Sequence, residues 1–348
     1  MAALSTEGGH RRTVAAVTST SADAVARADS TEGGNDSLVT VLVAFVANLL
    51  IAIAKTGAAL LTGSASMVAE AAHSWADSGN EIFLLIAEKR GAKEADEAHP
   101  LGYGKEAYVW SMFAAVGLLT AGAVVSIGHG IQQLGSTEEA GDYLVNYIVL
   151  AIAFVLEGTS FLQALRQTRG VASKAGLHPL RYITRTSDPT LRAVFFEDAA
   201  AQVGLLIAAT GVALHQITGN AMWDALGSIL VGVMLAVVAV FLVNRNREFL
   251  VGEAITGPVR DRVLQTLLHN AAIEKVTYLH MEFVGPQKLF VVATVDLVGD
   301  ERESVLAVHL QQVEDEIRKH AMIEHAVLSL PHEKPLVPGD NTQRNPAR

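Results

Sequence analysis

One apolar stretch of the sequence carries four side chains that can bind a proton or a metal ion. They are spaced three, four and four residues apart, and they are Glu70, His73, Asp77 and Glu81. At about 100° per residue, this spacing places all four on one face of an α-helix. Imidazole nitrogens and carboxylate oxygens are ligands for divalent metal ions, so the pattern indicates a metal site.

A second apolar stretch contains the adjacent acids Glu197 and Asp198. A carboxylate inside a membrane is costly unless it is paired, hydrated or bound to a cation. If the two stretches are membrane helices that enter from opposite faces, Asp77 and Asp198 reach similar depths. We therefore predict one ligand set for a divalent cation, formed by His73, Asp77, Glu197 and Asp198. Glu81 is expected to be a helix-end residue near the interface.

Two further charged residues lie in apolar segments, and the sequence leaves their roles open. Lys55 either extends its ammonium group to the membrane interface or neutralises one of the acids. Glu157 is intramembrane by the same reasoning, but nothing in the sequence identifies its partner.

Six segments are long enough to cross a bilayer as helices, which takes roughly 20 residues each. They cover about 38–62, 66–88, 107–134, 143–165, 191–214 and 222–243. The lysines and arginines of the connections all fall on one side of the predicted membrane, which places both termini in the cytoplasm. We expect an integral, multi-pass protein in the cell (plasma) membrane.

The composition of the 348 residues agrees with this organisation. Charged residues make up 18% of the chain and are sparser between Ser37 and Gly257 than elsewhere. The formal charge of −10 argues against a nucleic-acid partner, and the absence of cysteine excludes thiolate metal ligands. We predict four regions: a disordered cytoplasmic tail at 1–36, a membrane domain at 37–257, a cytoplasmic α+β domain at 258–335 and a disordered tail at 336–348.

The third of these regions has the pattern of a small soluble domain. A helix beginning near Pro258 is followed by two predicted strands, Lys275–Phe283 and Lys288–Leu297, then by a second amphipathic helix and a last strand at His325–Leu330. The order αββαβ is typical of a ferredoxin-like two-layer sandwich. A domain of this size has a marginal core, so we expect it to dimerise.

Three motifs together resemble the signature of the cation diffusion facilitator family of zinc and related metal transporters. The residues concerned are Ser64-Ala65-Ser66, the stretch EAAHSWAD at 70–77 and the stretch HPLGYGKE at 99–106. The resemblance extends over about residues 38–335. It implies a homodimeric secondary transporter, not an enzyme, that exports a divalent metal ion, most often Zn²⁺, from the cytosol in exchange for protons. No resident cofactor is implied.

The resemblance also assigns site residues. His73 and Asp77 match the ligand pair on the second helix, and Asp198 matches the aspartate on the fifth. Val194 stands where the family has a histidine, and Glu197 is suited to replace that ligand. This departure is similar to the branch that includes mitochondrial zinc transporters. A site with one nitrogen and several carboxylates also favours Mn²⁺, Fe²⁺ or Co²⁺ as alternative substrates.

The family has a second metal site in the loop between the second and third helices. Asp96 and His99 match two of its ligands, but Tyr103 occupies the third position, so we expect a weak or absent site. Thr294 and Leu330 stand at the ligand positions of the cytoplasmic domain, where we expect no metal.

Two other functions are compatible with intramembrane histidine and acids. A metal-dependent hydrolase would use them to activate water, but the sequence has no HExxH motif. A cation channel would need rings of carbonyl or carboxylate groups around an axis, which the sequence does not indicate.

Overall fold

The structure is a computed structural model that describes residues 34–135, 142–255, 257–299 and 301–331. Most of the predicted N-terminal tail and all of the predicted C-terminal tail lie outside these ranges. The chain divides into two units after Val46. In the first unit the described residues, 34–46, are helical. All contacts discussed below belong to the second unit.

Seven helices precede the small domain within the described ranges, and six of them coincide with the predicted spans. Their bounds are α1 Gly34–Thr62, α2 Ala65–Gly91, α3 Glu106–Gln133, α4 Tyr143–Lys174, α5 Pro179–Arg185, α6 Pro189–Thr218 and α7 Met222–Val251. Helix α3 includes a π-helical segment, Leu118–Val124. The short helix α5 lies in the connection between α4 and α6.

Among the described residues, five helices are long and apolar enough to cross a membrane: α1 through its part Phe45–Thr62, α3, α4, α6 and α7. Helix α2 is not among them, because Glu70, Asp77 and Glu81 lower its hydropathy. Ala69 and Ala76 on α2 pack into one apolar cluster with residues of α3, α6 and α7. Small residues allow such close helix packing, so α2 lies inside the bundle where its acids avoid lipid.

A carboxylate on α7 fixes the beginning of α2. The side chain of Asp224 accepts hydrogen bonds from the backbone N–H groups of Ala65 at 2.6 Å and Ser66 at 3.2 Å. It also accepts one from the hydroxyl of Ser64 at 3.0 Å. The first N–H groups of a helix have no partner within the helix, so a buried acceptor here satisfies groups that would otherwise be costly. Asp224 thereby sets the position of the helix that carries His73 and Asp77.

A buried guanidinium connects the helices at the opposite end of the bundle. Arg192, at the start of α6, donates to the carbonyl of Thr186 at 2.6 Å and to the side-chain oxygen of Asn246 at 2.5 Å. Asn246 on α7 in turn donates to Ser111 on α3 at 3.0 Å. This chain of hydrogen bonds holds the helix that carries Glu197 and Asp198 against two neighbours.

The small domain has the predicted αββαβ order. Its elements are α8 Pro258–His269, β1 Ile273–Gly285, β2 Lys288–Leu297, α9 Glu303–Arg318 and β3 Ile323–Ser329. The sheet order is β1-β2-β3, with β1 and β2 antiparallel and β2 and β3 parallel. Apolar residues of both helices and all three strands form one core. The predicted fold class, a helical membrane domain followed by a small α+β domain, is confirmed.

The β1–β2 hairpin docks on the connection between α2 and α3 through a contact between two glycines. A Cβ atom on Gly104 would lie 2.5 Å from the carbonyl oxygen of Val284, and one on Gly285 would lie 2.7 Å from the Cα of Gly104. Beside this contact, the backbone N–H of Gln287 donates to the hydroxyl of Ser187 at 3.0 Å. The small domain thus touches the segments that lead into α3 and α6.

We predict that Gly104→Ala weakens this docking about 5- to 150-fold, because overpacking of a rigid contact costs about 1–3 kcal/mol. Hydrogen–deuterium exchange of the hairpin should increase, while exchange of the sheet interior stays as in the wild type. Gly128→Ala is the matched control, since a Cβ atom there meets nothing within 4 Å. Equal exchange in the two variants would contradict the prediction.

Candidate metal centre

His73 and Asp77 lie one turn apart on α2 and face the interior of the bundle. The side chain of His73 is fully buried, and its Nδ1 lies 3.4 Å from Oδ1 of Asp77, whose side chain is 21% exposed. Neither ring nitrogen of His73 makes a hydrogen bond. The i,i+4 spacing of the sequence therefore gives two ligand-type side chains that are close to each other.

Glu197 and Asp198 are presented by α6. Glu197 is buried, and Asp198 accepts a hydrogen bond from the hydroxyl of Ser160 on α4 at 2.8 Å. Both carboxylates act electrostatically on Asp77, so α2 and α6 bring the four predicted residues to one region of the bundle. Sequence reasoning missed Ser160, which lies in a different helix and has no distinctive spacing.

Several buried polar atoms of this region make no hydrogen bond. Among the described residues they include Asp77 Oδ1, Glu197 Oε1, both ring nitrogens of His73 and both side-chain polar atoms of Asn80. A buried polar atom without a partner is costly, and a bound ion is one way to offset that cost. Their chemistry, nitrogen and carboxylate oxygen, fits the predicted ligand set.

The four residues do not form an assembled metal site in this conformation. Within the ranges that the structure describes, no three histidine, aspartate or glutamate side chains lie close enough together to hold one ion. His73 and Asp77 form one pair on α2, and Glu197 and Asp198 form a second on α6. That all four bind the same ion remains a prediction.

A buried ion-pair network next to these residues resolves both open assignments of the sequence. The ammonium group of Lys55 on α1 lies 2.9 Å from Oε2 of Glu70 on α2 and 2.8 Å from Oε1 of Glu157 on α4. Lys55 therefore neutralises acids and does not extend to the interface, and the partner of Glu157 is Lys55. The contact joins residues 102 positions apart, and no local pattern encodes such a contact.

Glu81 is held by the first helix. The side-chain amide of Asn48 on α1 donates a hydrogen bond of 2.5 Å to Oε1 of Glu81. This contact gives Glu81 a packing role between α1 and α2. Because α2 continues to Gly91, Glu81 does not lie at the end of the helix, and our expectation on this point is wrong.

In the predicted loop site, side chains of the loop itself engage the carboxylate of Asp96. Asp96 accepts hydrogen bonds from the ammonium of Lys93 at 2.9 Å and from the hydroxyl of Tyr103 at 2.8 Å, and its Oδ1 lies 3.5 Å from Nδ1 of His99. The hydrogen bonds from Lys93 and Tyr103 hold the pKa of Asp96 below its usual value. Tyr103, which replaces the third ligand, thus engages the carboxylate that would have bound a metal.

We predict that Asp96→Asn leaves the number of bound zinc ions per chain unchanged, because Lys93 and Tyr103 compete with a metal for that carboxylate. Equilibrium dialysis of the purified chain against zinc measures this number. The loss of one ion in the variant would show that the loop does hold a metal. Glu94→Gln, an exposed position in the same loop, is the control.

Comparison with known proteins identifies the membrane part. Residues 41–251 match the family model described as the cation efflux transmembrane domain. Metal tolerance protein C4 of Arabidopsis thaliana is 34% identical over 259 residues, which are 74% of this chain and 57% of that protein. The human mitochondrial proton-coupled zinc antiporter SLC30A9 is 33% identical over 74% of this chain and 46% of its own length. The chain spans about half the length of these relatives.

A shorter similarity links the chain to the magnetosome protein MamB of Magnetospirillum gryphiswaldense. It is 31% identical over 97 residues, which are 28% of this chain and 33% of that protein.

The relatives correct the predicted location. The frog, mouse and human antiporters are named as mitochondrial proteins, which contradicts our expectation of a plasma membrane. Loop charges report which side of a membrane a loop faces, and they do not report which membrane it is. A multi-pass membrane protein remains supported by the apolar helices.

The match over residues 41–251 covers more than half of the chain and includes all six long helices, at least in part. It confirms the recognition that we made from the three motifs, and it favours a transporter over a hydrolase. The chain belongs to the cation efflux, or cation diffusion facilitator, family.

Proposed function

We propose that this protein moves a divalent metal ion across its membrane in exchange for protons, with Zn²⁺ as the preferred substrate. The observation that carries the proposal is the pair His73 and Asp77, whose Nδ1 and Oδ1 lie 3.4 Å apart without a hydrogen bond. The pair lies within the electrostatic reach of Glu197 and Asp198. The names of the relatives, a proton-coupled zinc antiporter among them, support zinc and protons as substrates.

The mechanism that we propose requires one exchangeable site and two conformations. A metal ion enters from the side that carries the basic loops and binds His73, Asp77, Glu197 and Asp198. Binding displaces protons, because these ligands bind metal in their deprotonated forms. The bundle then rocks so that the site faces the other side, as in alternating access around a midplane site. Protons return to the ligands, release the ion and reset the cycle.

This exchange keeps the buried charge low in both conformations. A carboxylate without a partner is expensive in the membrane, whether the partner is a proton or a metal ion. In the separated arrangement of the structure, His73 with Asp77 and Glu197 with Asp198 lie on different helices. A movement of α2 relative to α6 would assemble or open the site.

The choice of metal depends on the donor atoms. His73 supplies nitrogen, while Asp77, Glu197 and Asp198 supply only oxygen, and oxygen-rich sites also accept Mn²⁺, Fe²⁺ and Co²⁺. These ions are the alternative substrates of the same mechanism. We also propose that the protein works as a homodimer, as its family resemblance implies.

Zinc uptake into proteoliposomes with an imposed pH gradient tests the proposal. We expect the wild type to take up zinc and to dissipate the gradient, and we expect Asp77→Asn to lower the uptake at least about 100-fold, because it removes a charged ligand. Glu88→Gln, at an exposed position near the end of α2, is the control and should behave like the wild type.

The other outcomes separate the alternatives. Full uptake in Asp77→Asn would refute the proposed site. Zinc flux that is not coupled to proton movement would indicate a channel, and cleavage of peptide bonds by the purified protein would indicate the hydrolase. The same vesicles supplied in turn with manganese, iron and cobalt determine the selectivity.

A further inference from the structure

The Lys55, Glu70 and Glu157 network has the geometry of an occupied cation site. One positively charged nitrogen lies 2.9 Å and 2.8 Å from carboxylate oxygens on two other helices. The side chains of Lys55 and Glu70 are fully buried, and that of Glu157 is 11% exposed. The cation in this site is therefore part of the chain and cannot exchange with solvent.

The two carboxylates keep further capacity to bind a cation. Glu70 Oε1 and Glu157 Oε2 are buried and make no hydrogen bond. On the other side of Glu70, Gly204 of α6 leaves room for the carboxylate, since a Cβ atom there would lie 2.7 Å from Oε1. The site thus has four carboxylate oxygens, two of which Lys55 uses.

This network lies beside the proposed transport site and affects its electrostatics. Lys55 and Glu157 both act on Asp77, and Glu157 also acts on Asp198. Without Lys55, the charges of Glu70 and Glu157 would be buried without a counter-ion, which is strongly destabilising. A divalent ion would relieve this cost, since carboxylate oxygens are ligands for such ions. A divalent ion beside the ammonium group would instead meet a like charge.

We propose that Lys55 is a tethered cation that fills a second carboxylate site, formed by Glu70 and Glu157, and so limits the membrane domain to one divalent ion. This inference rests on the proposed function, because it takes the single divalent ion that the membrane domain binds to be the transported ion. Lys55 is then a specificity-determining residue that acts on the number of ions bound, and it is not itself a ligand.

Counting zinc ions bound to the purified full chain tests the proposal. Equilibrium dialysis with zinc alone is expected to give one more ion per chain for Lys55→Met than for the wild type. Lys55→Met with Glu157→Gln should return to the wild-type number, because one of the two carboxylates is gone. Lys55→Arg keeps the positive charge and should also give the wild-type number. Lys174→Met removes an exposed lysine at the end of α4, away from every proposed site, and is the control.

The stability of the variant provides a second measurement. Lys55→Met leaves two carboxylates without their cation, so we expect it to melt below the wild type in the presence of a chelator. Saturating zinc should then raise its melting temperature by more than that of the wild type. If Lys55 only held α1, α2 and α4 together, zinc would raise both melting temperatures equally, and this result would overturn the proposal, as would an unchanged ion count in the folded variant.

If the proposed transport function is wrong, the measurements give a different pattern from the one expected if only the role of Lys55 is wrong. In that case the wild type shows no proton-coupled uptake and Asp77→Asn binds as many zinc ions as the wild type. The difference between Lys55→Met and the wild type is measured independently of uptake, so the two outcomes are distinguishable.

Discussion

Replacing Glu197 by glutamine should lower the zinc affinity of the transport site at least about 100-fold, and adding a histidine at Val194 should restore much of this loss. Removing even an outer partner of a metal ligand costs about 10- to 100-fold in affinity, so the loss of a charged ligand reaches or exceeds the upper value. Glu197 is buried, and its Oε1 makes no hydrogen bond. Position 194 precedes it by three residues on α6, which is within one helical turn.

The measurement is competition between the protein and a zinc-binding dye, in lipid nanodiscs at constant pH. Val194→His together with Glu197→Gln exchanges an oxygen ligand for a nitrogen ligand. We therefore expect this double variant to prefer zinc over manganese more strongly than the wild type does. An unchanged zinc affinity in Glu197→Gln would show that the site has only His73, Asp77 and Asp198 as ligands.

Glu81→Gln is the matched control for this experiment. Glu81 is also an acid of the bundle and lies on the same face of α2 as Asp77, but Asn48 holds it. Its substitution should change the zinc affinity by less than about 3-fold. A large effect would place Glu81 in the metal path and would require a different ligand set.

The features that the sequence predicts well are those that local geometry determines. The closeness of His73 and Asp77 follows from four residues of helix, whatever the rest of the chain does. The αββαβ order follows in the same way from short stretches of apolar periodicity and from the turn between β1 and β2. Both are found in the structure at the predicted positions.

The features that the sequence does not predict depend on packing between distant segments. Lys55 meets Glu157 across 102 residues, and Asp224 meets the start of α2 across about 160. Single charges in apolar segments indicate that partners exist, but they do not indicate which ones. In the α2–α3 loop, local spacing instead suggests a site that the packing does not support. The spacing of Asp96 and His99 suggests a metal, but Lys93 and Tyr103 donate hydrogen bonds to the Asp96 carboxylate.

The low hydropathy of α2 is a consequence of its position in the bundle. Three of its acids, Glu70, Glu81 and Asp77, face Lys55, Asn48 and the α6 carboxylates respectively. A helix of this kind inserts only together with the helices that cover it, so its placement depends on the contacts at its ends. One of these contacts is made by Asp224, which accepts three hydrogen bonds at the start of α2.

Asp224→Ala should destabilise the membrane domain by about 2–6 kcal/mol. The substitution leaves the N–H groups of Ala65 and Ser66 without an acceptor, and each buried unsatisfied group costs about 1–3 kcal/mol. Both residues are completely buried, so water does not replace the carboxylate. Asp224→Asn keeps one acceptor oxygen and should cost less than the alanine variant.

Thermal unfolding in detergent, followed by tryptophan fluorescence, measures this effect. The matched control is Asp142→Ala, since Asp142 also caps a helix by accepting from the N–H of Leu144 at 2.9 Å, but at an exposed position. An exposed helix cap contributes about 0.5–2 kcal/mol, because water can hydrogen-bond to the freed backbone N–H group when the capping side chain is removed. Equal melting temperatures for the two alanine variants would mean that the buried contact of Asp224 does not hold α2. A lower melting temperature for Asp224→Ala alone, with weaker zinc binding, would show that this contact also keeps His73 and Asp77 in place.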